Sequence, residues 1–420
     1  MTRKRLLIGV AAVLLALAGA AVGYVLYVRH QGGDVRGSAT QEFVLTQTAL
    51  PPPPPPPTPT QPAGVDWPVF GLDAQRLHFL PSTLAPPFRQ RWAFRAHSLV
   101  EFPPSIGNGR LYVANNTGTV FAIDAASGRL VWHYDSGRCV AATPALAHGL
   151  VYEAFLNRPP CNSTSSDIDG QVVAFDARTG KLRWSRTIGP SESSPLVENG
   201  LVYVGDWRGN VYGFDWRTGK ERWSYQTGGK VKGGVAVDGR RLYIGSYDGH
   251  VYALDARTGK EFWRASGQER LGSAGTFYST PAAAYGRVYI GSTDGKVYSF
   301  GARTGDLRWS HSTGGYVYGS PAVWNLRVLV GSYSGRFYAF DAATGDVRWQ
   351  FQANGPISGS ATVLGHLVYF STLKQRTYAL DARTGRLVWS FPDGKYSPVV
   401  SDDLRVYLVG YARIYAMVPR

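Results

Sequence analysis

A fifteen-residue pattern recurs seven times along the chain and constrains the fold more strongly than any other feature of the sequence. In residues 249–263 it reads GHVYALDARTGKEFW, which is a short strand-forming run, a polar turn and a second strand-forming run that ends in tryptophan. A repeat of about forty residues in strand-forming sequence is typical of a β-propeller, in which each repeat supplies one blade. The other copies are residues 118–132, 170–184, 209–223, 295–309, 335–349 and 375–389.

An eighth copy is divided between the two ends of the folded region. Residues 412–417 (ARIYAM) supply its first half and residues 88–92 (FRQRW) supply its second half. We therefore predict an all-β fold of eight four-stranded blades, closed by pairing of an N-terminal strand with a C-terminal strand. Closure of this kind removes the free sheet edges at which other chains would pair. The tryptophans that end the repeats are Trp92, Trp132, Trp184, Trp223, Trp263, Trp309, Trp349 and Trp389.

Small residues and turn-forming residues fill the remaining positions of each repeat. Segments such as Thr143-Pro144-Ala145 are predicted to form the innermost strands, because bulky side chains would clash close to the axis. The third and fourth strands are joined by Asp-x-x-Thr-Gly, in which the aspartate accepts turn N–H groups and the glycine adopts a positive φ. Because each turn offers one or two carboxylates and recurs in every blade, we interpret these aspartates as turn residues rather than calcium ligands.

Residues 1–30 are predicted to form an N-terminal transmembrane signal anchor. Residues 6–28 are uncharged and long enough to cross a bilayer, and the preceding Arg3, Lys4 and Arg5 favour a cytoplasmic N-terminus. A cleaved signal peptide is the alternative, because Ala16-Leu17-Ala18 resembles a cleavage site. Under either interpretation the propeller lies on the extracytoplasmic side of the cell membrane.

Residues 31–64 are predicted to be a disordered or polyproline II linker. They contain seven consecutive prolines, residues 51–57, and such a run forms a stiff, extended chain of about 3.1 Å per residue. We interpret this segment as a stalk that carries the propeller, which we place in residues 65–420.

The chain is basic, with 44 Lys and Arg residues against 29 Asp and Glu residues and a formal net charge of +15. A basic body outside the cytoplasm attracts anionic lipid headgroups, anionic polymers and acidic protein partners. Nucleic acid is the other usual partner of such charge, but the predicted compartment and the absence of a recognition motif argue against it. Many of the cations fall in the repeated turns, so a solvated rim without a partner is an alternative explanation.

The two cysteines, Cys139 and Cys161, fall in loops that a four-stranded blade places on the same face. An oxidising compartment allows them to form a disulfide. The closed loop of about 22 residues would stabilise the fold by roughly 3 kcal/mol in the chain-entropy treatment. Two buried free thiols are the alternative, although both neighbourhoods are polar.

The repeat resembles the pyrroloquinoline-quinone (PQQ)-type propeller family. The resemblance rests on A-x-D-x-x-[TS]-G-x-x-x-W, which is matched in five of the seven complete copies, and it covers about residues 66–420. It implies that each of the eight tryptophans named above docks against the neighbouring blade. Eight blades without additional domains are most similar to the propeller subunit of the outer-membrane β-barrel assembly machinery, which implies a non-catalytic scaffold. The chain differs from that subunit in having no lipidation cysteine after its apolar run and in having the proline-rich segment.

The residues do not form a recognisable enzyme site. The histidines are scattered without metal-ligand spacing, and no local nucleophile signature is present. The quinone-dependent dehydrogenases of the resembled family are longer and many contain adjacent cysteines, which this chain lacks. We therefore predict no metal and no cofactor, with PQQ as the alternative. The carboxylates in loops that enter inner strands are Glu101, Glu192 and Glu269, and we interpret them as surface charge.

One face of the predicted propeller combines aromatic and cationic residues. Tyrosine, tryptophan and arginine dominate the energetics of protein interfaces, although tyrosine at several of these positions belongs to the repeat itself. We predict that this face binds an envelope protein or an anionic polymer, and that the protein acts as a non-enzymatic scaffold. The predicted face consists of Trp207, Tyr247, Tyr333, Tyr411, Arg138, Lys230, Lys232, Tyr316, Tyr318 and Lys395, with His97, Arg270 and Tyr396 in the same loops. The alternative functions are a PQQ-dependent oxidoreductase and a carbohydrate-binding protein.

Overall fold

We analysed a computed structural model of the chain, which describes residues 13–24, 32–45, 64–161, 168–269, 275–396 and 399–420. The described part of the chain forms eight β-sheets arranged as blades. Within each of the first seven blades the strands run in order from the innermost to the outermost and pair antiparallel. The predicted number of blades and the predicted number of strands in each blade are therefore confirmed.

Seven blades are built from consecutive strands. Blade 1 contains Ser105–Gly107, Arg110–Ala114, Thr119–Asp124 and Leu130–Asp135; blade 2 contains Ala145–Ala147, Leu150–Phe155, Gly170–Asp176 and Leu182–Ile188; blade 3 contains Leu196–Glu198, Leu201–Gly205, Asn210–Asp215 and Glu221–Gln226; blade 4 contains Ala236–Asp238, Arg241–Gly245, His250–Asp255 and Glu261–Ser266. Blade 5 contains Ala282–Ala284, Arg287–Gly291, Lys296–Gly301 and Leu307–Ser312; blade 6 contains Ala322–Trp324, Arg327–Gly331, Arg336–Asp341 and Val347–Gln352; blade 7 contains Thr362–Leu364, Leu367–Thr372, Arg376–Asp381 and Leu387–Phe391.

Blade 8 joins the two ends of the folded region, as the divided repeat predicts. Its strands are Val400–Ser401, Val406–Val409, Arg413–Pro419 and, at the outer edge, Phe88–Arg95. The register runs from Phe88 opposite Pro419 to Arg95 opposite Arg413. The ring is therefore closed by backbone hydrogen bonds between residues more than 300 positions apart in the sequence.

The repeated turns use the chemistry predicted from the Asp-x-x-Thr-Gly motif. In blade 3 the carboxylate Oδ1 of Asp215 accepts hydrogen bonds from the backbone N–H groups of Arg217 (3.2 Å) and Thr218 (3.0 Å), and Gly219 has a φ of +66°. The guanidinium of Arg222 donates to the other carboxylate oxygen at 2.8 Å. This hydrogen bond is the main cause that lowers the pKa of Asp215 to about 2. The carboxylate of Asp215 is thus fully engaged within its own blade, by the N–H groups of the turn and by Arg222.

Residues 64–80 cross the axis and pass along the inner strands of the blades. The backbone of Trp67 forms two hydrogen bonds with Ile106 of blade 1 (2.9 and 2.7 Å). The same segment then accepts backbone hydrogen bonds from the middle residue of the inner strands of blades 2, 4, 5, 6 and 7: Leu146, Val237, Ala283, Val323 and Val363. Residues Phe79–Leu80 form a short strand parallel to the inner strand of blade 7. This segment plugs one end of the axis and is called the axial plug below.

The axial plug is fixed by a fully buried arginine. The guanidinium of Arg76 donates hydrogen bonds to the backbone carbonyls of Val235 (2.8 Å) and Ser194 (3.2 Å) and to that of Phe70. Burial lowers the pKa of Arg76 to about 9 and the pKa of the neighbouring His78 to about 3. Because buried polar groups need hydrogen-bond partners, the arginine specifies one arrangement of plug and blades.

Residues 32–45 lie along the outer edge of blade 5, where they contact the neighbouring blade 6. The backbone of Val35 pairs with Ser310 of the outermost strand. The carboxylate of Glu42 accepts hydrogen bonds from the guanidinium of Arg308 (2.7 Å) and from the backbone N–H of Arg303 (2.8 Å). The buried guanidinium of Arg287 donates to three backbone carbonyls of the segment. This segment, called the strap below, is the first part of the predicted linker.

The N-terminal helix described here covers residues 13–24. Among the described residues no helix is both long and apolar enough to cross a membrane. Residues 1–12 and 25–30 of the predicted anchor, and residues 31 and 46–63 of the predicted linker, lie outside the described residues.

Candidate binding face around the axial cavity

The two faces of the ring differ in which loops they carry. We call upper the face that carries the loops entering the inner strands and the loops joining second and third strands, and we call the opposite face lower. A cavity of about 530 Å³, counting space open to solvent, lies at the axis on the upper side. The side chain of Phe70 from the axial plug contributes to its lining. The axial cavity is therefore open on the upper face and closed below by the axial plug.

Seven polar residues of the cavity wall come from one repeated position. Each is the fourth residue before the first residue of an inner strand, at a point where the loop turns down toward the axis. Six of these residues precede the inner strands of blades 1 and 3 to 7, and the seventh precedes that of blade 8: Glu101, Glu192, Lys232, Tyr278, Tyr318, Ser358 and Tyr396. We call these seven residues the axial ring. Blade 2 has Ala141 at this position.

Lys232 lies at the centre of the most closely packed part of this face. Its ammonium forms an ion pair with Glu192 at 2.9 Å. The same nitrogen lies 4.3 Å from the ring centroid of Trp207, 5.5 Å from that of Tyr247 and 5.6 Å from that of Tyr278. An ammonium over aromatic faces at such distances is stabilised by the ring quadrupoles. The loops of blades 3, 4 and 5 thus build a cage that already holds one cation.

Two glutamates of the axial ring influence each other. Burial and the charge of Glu192 together raise the pKa of Glu101 to about 7, against the opposing charges of Lys232 and Lys395. The carboxylate of Glu192 accepts a hydrogen bond of 2.9 Å from the hydroxyl of Tyr278 as well as the lysine pair. Burial and the two carboxylates raise the pKa of Tyr278 well above its usual value. The tyrosine is therefore a neutral donor at physiological pH.

Tyrosines extend the aromatic surface from the cage across blade 6. The ring of Tyr318 lies 5.2 Å from that of Tyr278, 5.7 Å from that of Tyr316 and 5.3 Å from that of Tyr333. Tyr316 is 52% exposed. On blade 8 the ammonium of Lys395 lies 5.1 Å from the ring of Tyr396 and 5.0 Å from that of Tyr411. Most of the residues predicted for this face are thus neighbours around one cavity.

Some predicted residues of the face have other surroundings. Arg138 is buried, and its guanidinium donates two hydrogen bonds of 3.1 Å to the carboxylate of Asp169. His97 and Glu269 are exposed at the rim, and Arg270 lies outside the described residues. The ammonium of Lys230 lies 4.9 Å from the ring of Trp207. Arg138 therefore contributes to the structure of blade 2 and does not offer its charge to the cavity.

Tyr278 is not among the residues that the sequence predicts for this face, and Glu101 and Glu192 are predicted as surface charge. All three line the axial cavity. The signal was present in the sequence, because Glu101, Glu192, Tyr278 and Tyr318 each stand three residues before the proline that precedes an inner strand. Aligning the repeats on that proline, instead of on the tryptophan, would have brought these residues together.

The cysteines are placed as predicted. Cys139 and Cys161 form a disulfide with a Cα–Cα distance of 5.6 Å. Cys139 is buried in a small cluster with Ala141 and Leu156, against which Trp207 of the cage packs. The disulfide therefore supports one wall of the aromatic cage.

The fold and the cavity define a class of protein: an eight-bladed β-propeller with an axial cavity that opens on its upper face. A family model described as outer membrane protein assembly factor BamB matches residues 88–230, 208–323 and 296–417. The chain belongs to this family of PQQ-like propellers.

Relatives of two kinds are similar to parts of the chain. BamB of Moranella endobia is 31% identical over 114 residues, which are 24% of this chain and 26% of the relative. The dehydrogenase subunit of the quinone alcohol dehydrogenase of Gluconobacter oxydans is 31% identical over 129 residues, which are 25% of this chain and 16% of the relative. The chain thus aligns with only about a quarter or less of the length of these relatives.

Solved structures of both kinds share the fold. The crystal structure of BamB from Moraxella catarrhalis matches with a TM-score of 0.66 and 19% identity, covering 79% of this chain and 99% of that one. The quinohemoprotein alcohol dehydrogenase of Comamonas testosteroni matches with a TM-score of 0.70 and 17% identity, covering 84% and 80%. At these identities the likeness concerns the fold.

The lining of the axial cavity offers few positive groups to the quinone cofactor of the dehydrogenase relatives. PQQ carries several carboxylates and is an anion at neutral pH, whereas the cavity lining offers two carboxylates, Glu101 and Glu192, and one ammonium. That ammonium, on Lys232, is already paired with Glu192. Burying further negative charge in a lining with more carboxylates than ammonium groups is unfavourable. Among the described residues no group of three His, Cys, Asp or Glu side chains is arranged to hold a metal ion.

Proposed function

We propose that the protein is a membrane-anchored, extracytoplasmic scaffold without enzymatic activity, and that its upper face binds an envelope protein. The observation that carries this proposal is the continuous aromatic and cationic surface around the axial cavity, from Trp207 through Tyr278 to Tyr333. Large aromatic side chains next to cations are typical of interface hot spots. The name of the family, an assembly factor of the outer membrane, agrees with a protein partner.

The alternative function is that of a quinone-dependent oxidoreductase, which the dehydrogenase relatives favour. The charges of the cavity argue against it, because the lysine that would neutralise a quinone carboxylate is held by Glu192. An anionic polymer is the alternative partner, since Lys230 and Lys395 lie at the rim.

Paired substitutions on opposite faces test the binding role. We expect the double variant Trp207→Ala, Tyr247→Ala to reduce crosslinking to the partner in the native envelope by at least roughly tenfold, which corresponds to about 1.4 kcal/mol. Trp216 is a matched control: it is a half-buried tryptophan on the lower face, next to His148, so its replacement by alanine should leave crosslinking unchanged. Equal capture by both variants would show that the upper face is not the binding surface.

The strap bears on how the proposed anchor positions the ring. If residues 6–28 cross the membrane, only residues 29–31 precede the strap, a reach of at most about 15 Å. The strap begins at the upper outer edge of blade 5, where Lys296 donates a hydrogen bond to the backbone carbonyl of Gly33 at 3.2 Å. We infer that blade 5 is held close to the bilayer and that the proline-rich run connects the strap to the axial plug, instead of acting as a stalk.

A distance measurement distinguishes these two arrangements. A dye at Thr117→Cys, on the exposed upper turn of blade 1, reports its distance from labelled lipid headgroups by energy transfer. We expect Glu42→Ala with Arg308→Ala to lengthen this distance, and deletion of residues 51–57 to leave it unchanged. The opposite pattern would restore the stalk interpretation, and loss of the full chain from the membrane fraction would refute the anchor itself.

A further inference from the structure

We propose that the outer edge of blade 5 is a binding site for an extended peptide that carries a glutamate, and that the strap of this chain is the peptide that occupies it. The turn between the third and fourth strands of blade 5 lacks the aspartate of the other repeats, and Glu42 of the strap supplies a carboxylate in its place. This site is separate from the upper face and depends neither on the proposed partner nor on the proposed anchor.

The sequence of blade 5 differs from the other repeats at the first position of this turn. Six of the seven complete repeats have aspartate there, whereas blade 5 has Gly301. In each of the six, the aspartate carboxylate accepts a hydrogen bond of 2.8 to 3.0 Å from the backbone N–H three residues later. The backbone of the blade 5 turn is unchanged, because the N–H of Gly305 donates to the carbonyl of Gly301 at 2.8 Å, as Gly219 does to Asp215. The turn therefore keeps its shape without a carboxylate of its own.

Glu42 reproduces the contacts of the missing aspartate. Its carboxylate accepts hydrogen bonds from the backbone N–H of Arg303 (2.8 Å), the hydroxyl of Thr304 (2.9 Å) and the guanidinium of Arg308 (2.7 Å). In blade 3, Asp215 accepts hydrogen bonds from the residues at the same three positions of the repeat, which are Arg217, Thr218 and Arg222. Burial opposes ionisation of Glu42, but the hydrogen bonds from the turn and from Arg308 outweigh it and lower the pKa. Glu42 is thus bound as a carboxylate.

The glycine of the turn makes room for the glutamate of the strap. A Cβ atom at residue 301 would overlap the carboxylate of Glu42. The φ of Gly301 lies outside the left-handed region, so the backbone accepts a side chain at this position once Glu42 is removed. The missing side chain and the inserted carboxylate are therefore two parts of one site.

Further contacts define the sequence that the site accepts. The backbone N–H of Gly37 donates to the carbonyl of Thr344 on blade 6 at 2.8 Å, and a Cβ atom at this glycine would lie 2.5 Å from the carbonyl oxygen of Ala343. The ring of Phe43 lies 5.4 Å from that of Tyr285. The site therefore recognises a glycine, a glutamate five positions later and an aromatic residue directly after the glutamate.

The strap contacts the blade as a peptide ligand does. The backbone of Val35 pairs with Ser310 of the outermost strand through hydrogen bonds of 3.1 and 2.9 Å, which is how an added β-strand binds to a sheet edge. Because the strap belongs to the same chain, it binds at a high effective concentration. A separate peptide should therefore bind to this edge only after the strap is displaced.

Hydrogen exchange and melting of the full chain test the occupied site. We expect Glu42→Gln to lower the melting temperature by about 2–4 °C and to make exchange of residues 32–45 at least roughly tenfold faster, because the turn loses its carboxylate. In this variant Gly301→Asp should restore the melting temperature but leave the strap in fast exchange, since the turn then has its own carboxylate. Gly301→Ala is the matched control, because it fills the site without a carboxylate and should restore less of the melting temperature.

A dye-labelled synthetic peptide of residues 32–45 tests binding from outside the chain. The receptor is the full chain with Gly37→Ala and Glu42→Gln, which displace the strap and leave the turn of blade 5 unchanged. We expect saturable binding by fluorescence anisotropy, and binding at least roughly tenfold weaker for the same peptide with Glu42→Gln. Addition of Gly301→Asp to the receptor should abolish binding of both peptides.

Three results would overturn the proposal. If Gly301→Asp restores no more of the melting temperature than Gly301→Ala, Glu42 does not replace the turn carboxylate. Slow exchange of the strap in the receptor would show that Gly37 and Glu42 do not hold it. Equal binding of the two peptides, or no binding to a receptor whose strap exchanges rapidly, would show that the edge of blade 5 is not a site for a glutamate-bearing peptide.

Discussion

The indole of Trp389 meets the ring of Phe88 edge-on, with centroids 5.4 Å apart and an interplanar angle of 90°. In the other blades the corresponding tryptophan donates a hydrogen bond to a backbone carbonyl in the turn of the next blade, as Trp309 does to Ala342 at 2.9 Å. Blade 8 has no such turn at this place, because its third and fourth strands come from opposite ends of the chain. An aromatic contact from Phe88 replaces the hydrogen bond where the ring closes.

Removing the C-terminal strand should therefore open the ring. Deletion of residues 411–420 takes away Arg413–Pro419, which pairs with strands on both sides and buries Ile414, Ala416 and Met417. Loss of three such side chains alone is worth several kcal/mol, at about 0.8 kcal/mol per buried methylene group. We expect the melting temperature of the truncated protein to fall by at least about 10 °C.

Circular dichroism melts of the truncated chain measure this effect. Deletion of Arg420 alone is the control, since this residue is exposed and ends the chain beyond the strand. A truncated chain that melts together with the full chain would show that the two termini do not close the ring.

The docking hydrogen bonds between blades should contribute measurably to stability. Trp309 is fully buried and donates to the carbonyl of Ala342. Trp309→Phe keeps an aromatic ring but removes this hydrogen bond, which is worth about 0.5–1.5 kcal/mol, while the carbonyl of Ala342 keeps the hydrogen bond from the hydroxyl of Tyr289 at 3.1 Å. Trp349 makes the same bond to Ala382 at 3.1 Å but is half-buried, so water can replace part of its contribution.

Denaturant unfolding of the two variants compares these sites. We expect Trp309→Phe to lower the free energy of unfolding more than Trp349→Phe does. Equal losses of unfolding free energy would mean that packing of the aromatic side chain, and not its hydrogen bond, dominates docking between blades.

The repeated parts of this fold can be predicted from the sequence because every repeat contains the same local signals. The Asp-x-x-Thr-Gly turns, the inner-strand prolines and the terminal tryptophans are local signals, and the structure uses them as the sequence predicts. The split repeat even identifies which strands close the ring, Phe88–Arg95 and Arg413–Pro419.

The axial plug and the strap could not be predicted in this way. Both are single-copy segments without periodicity, and their positions depend on long-range contacts such as those of Arg76 with Ser194 and Arg287 with Glu42. The axial ring is an intermediate case. Its residues share one position in the repeat, but their side chains differ from blade to blade, so only the common spacing reveals that Glu101 and Tyr278 meet at the axis.

The disulfide should stabilise both the blade and the cage. Cys139 and Cys161 enclose a loop with a sequence separation of 22 residues, and closing a loop of this size contributes roughly 3 kcal/mol. We expect the double variant Cys139→Ser, Cys161→Ser to lose about this amount of unfolding free energy. Because Trp207 packs against the same cluster, the variant should also capture the partner less well.

Thiol counting under denaturing conditions checks the starting point, since the native protein should contain no free thiol. Reduction of the disulfide in the wild type provides a second route to the same state. A stability that does not change on either route would mean that the loop is held by its other contacts, among them the ion pair of Arg138 with Asp169.

A buried carboxyl group between blades 1 and 2 should make the stability of the protein fall as pH rises. Glu153 is fully buried opposite Val173, and only one of its oxygens has a hydrogen bond within the described structure, from the backbone N–H of Ala154 at 2.9 Å. Burial raises the pKa of Glu153 well above its usual value, so folding favours the neutral form of this group.

The sign of the pH effect follows from the unfolded chain. There the same carboxyl ionises near pH 4.5, so each pH unit above that value favours the unfolded state by up to about 1.4 kcal/mol until the raised pKa is reached. Glu153→Gln removes this titration. We therefore expect the stability difference between variant and wild type to shift in favour of the variant by at least about 1.4 kcal/mol between pH 4.5 and pH 8. Denaturant unfolding at both pH values measures this difference. The raised pKa values of Asp73 and Glu101 affect the variant and the wild type equally, so their contributions cancel. Glu269→Gln, at an exposed carboxylate, is the control, and a difference that is independent of pH would show that Glu153 is ionised in the folded protein.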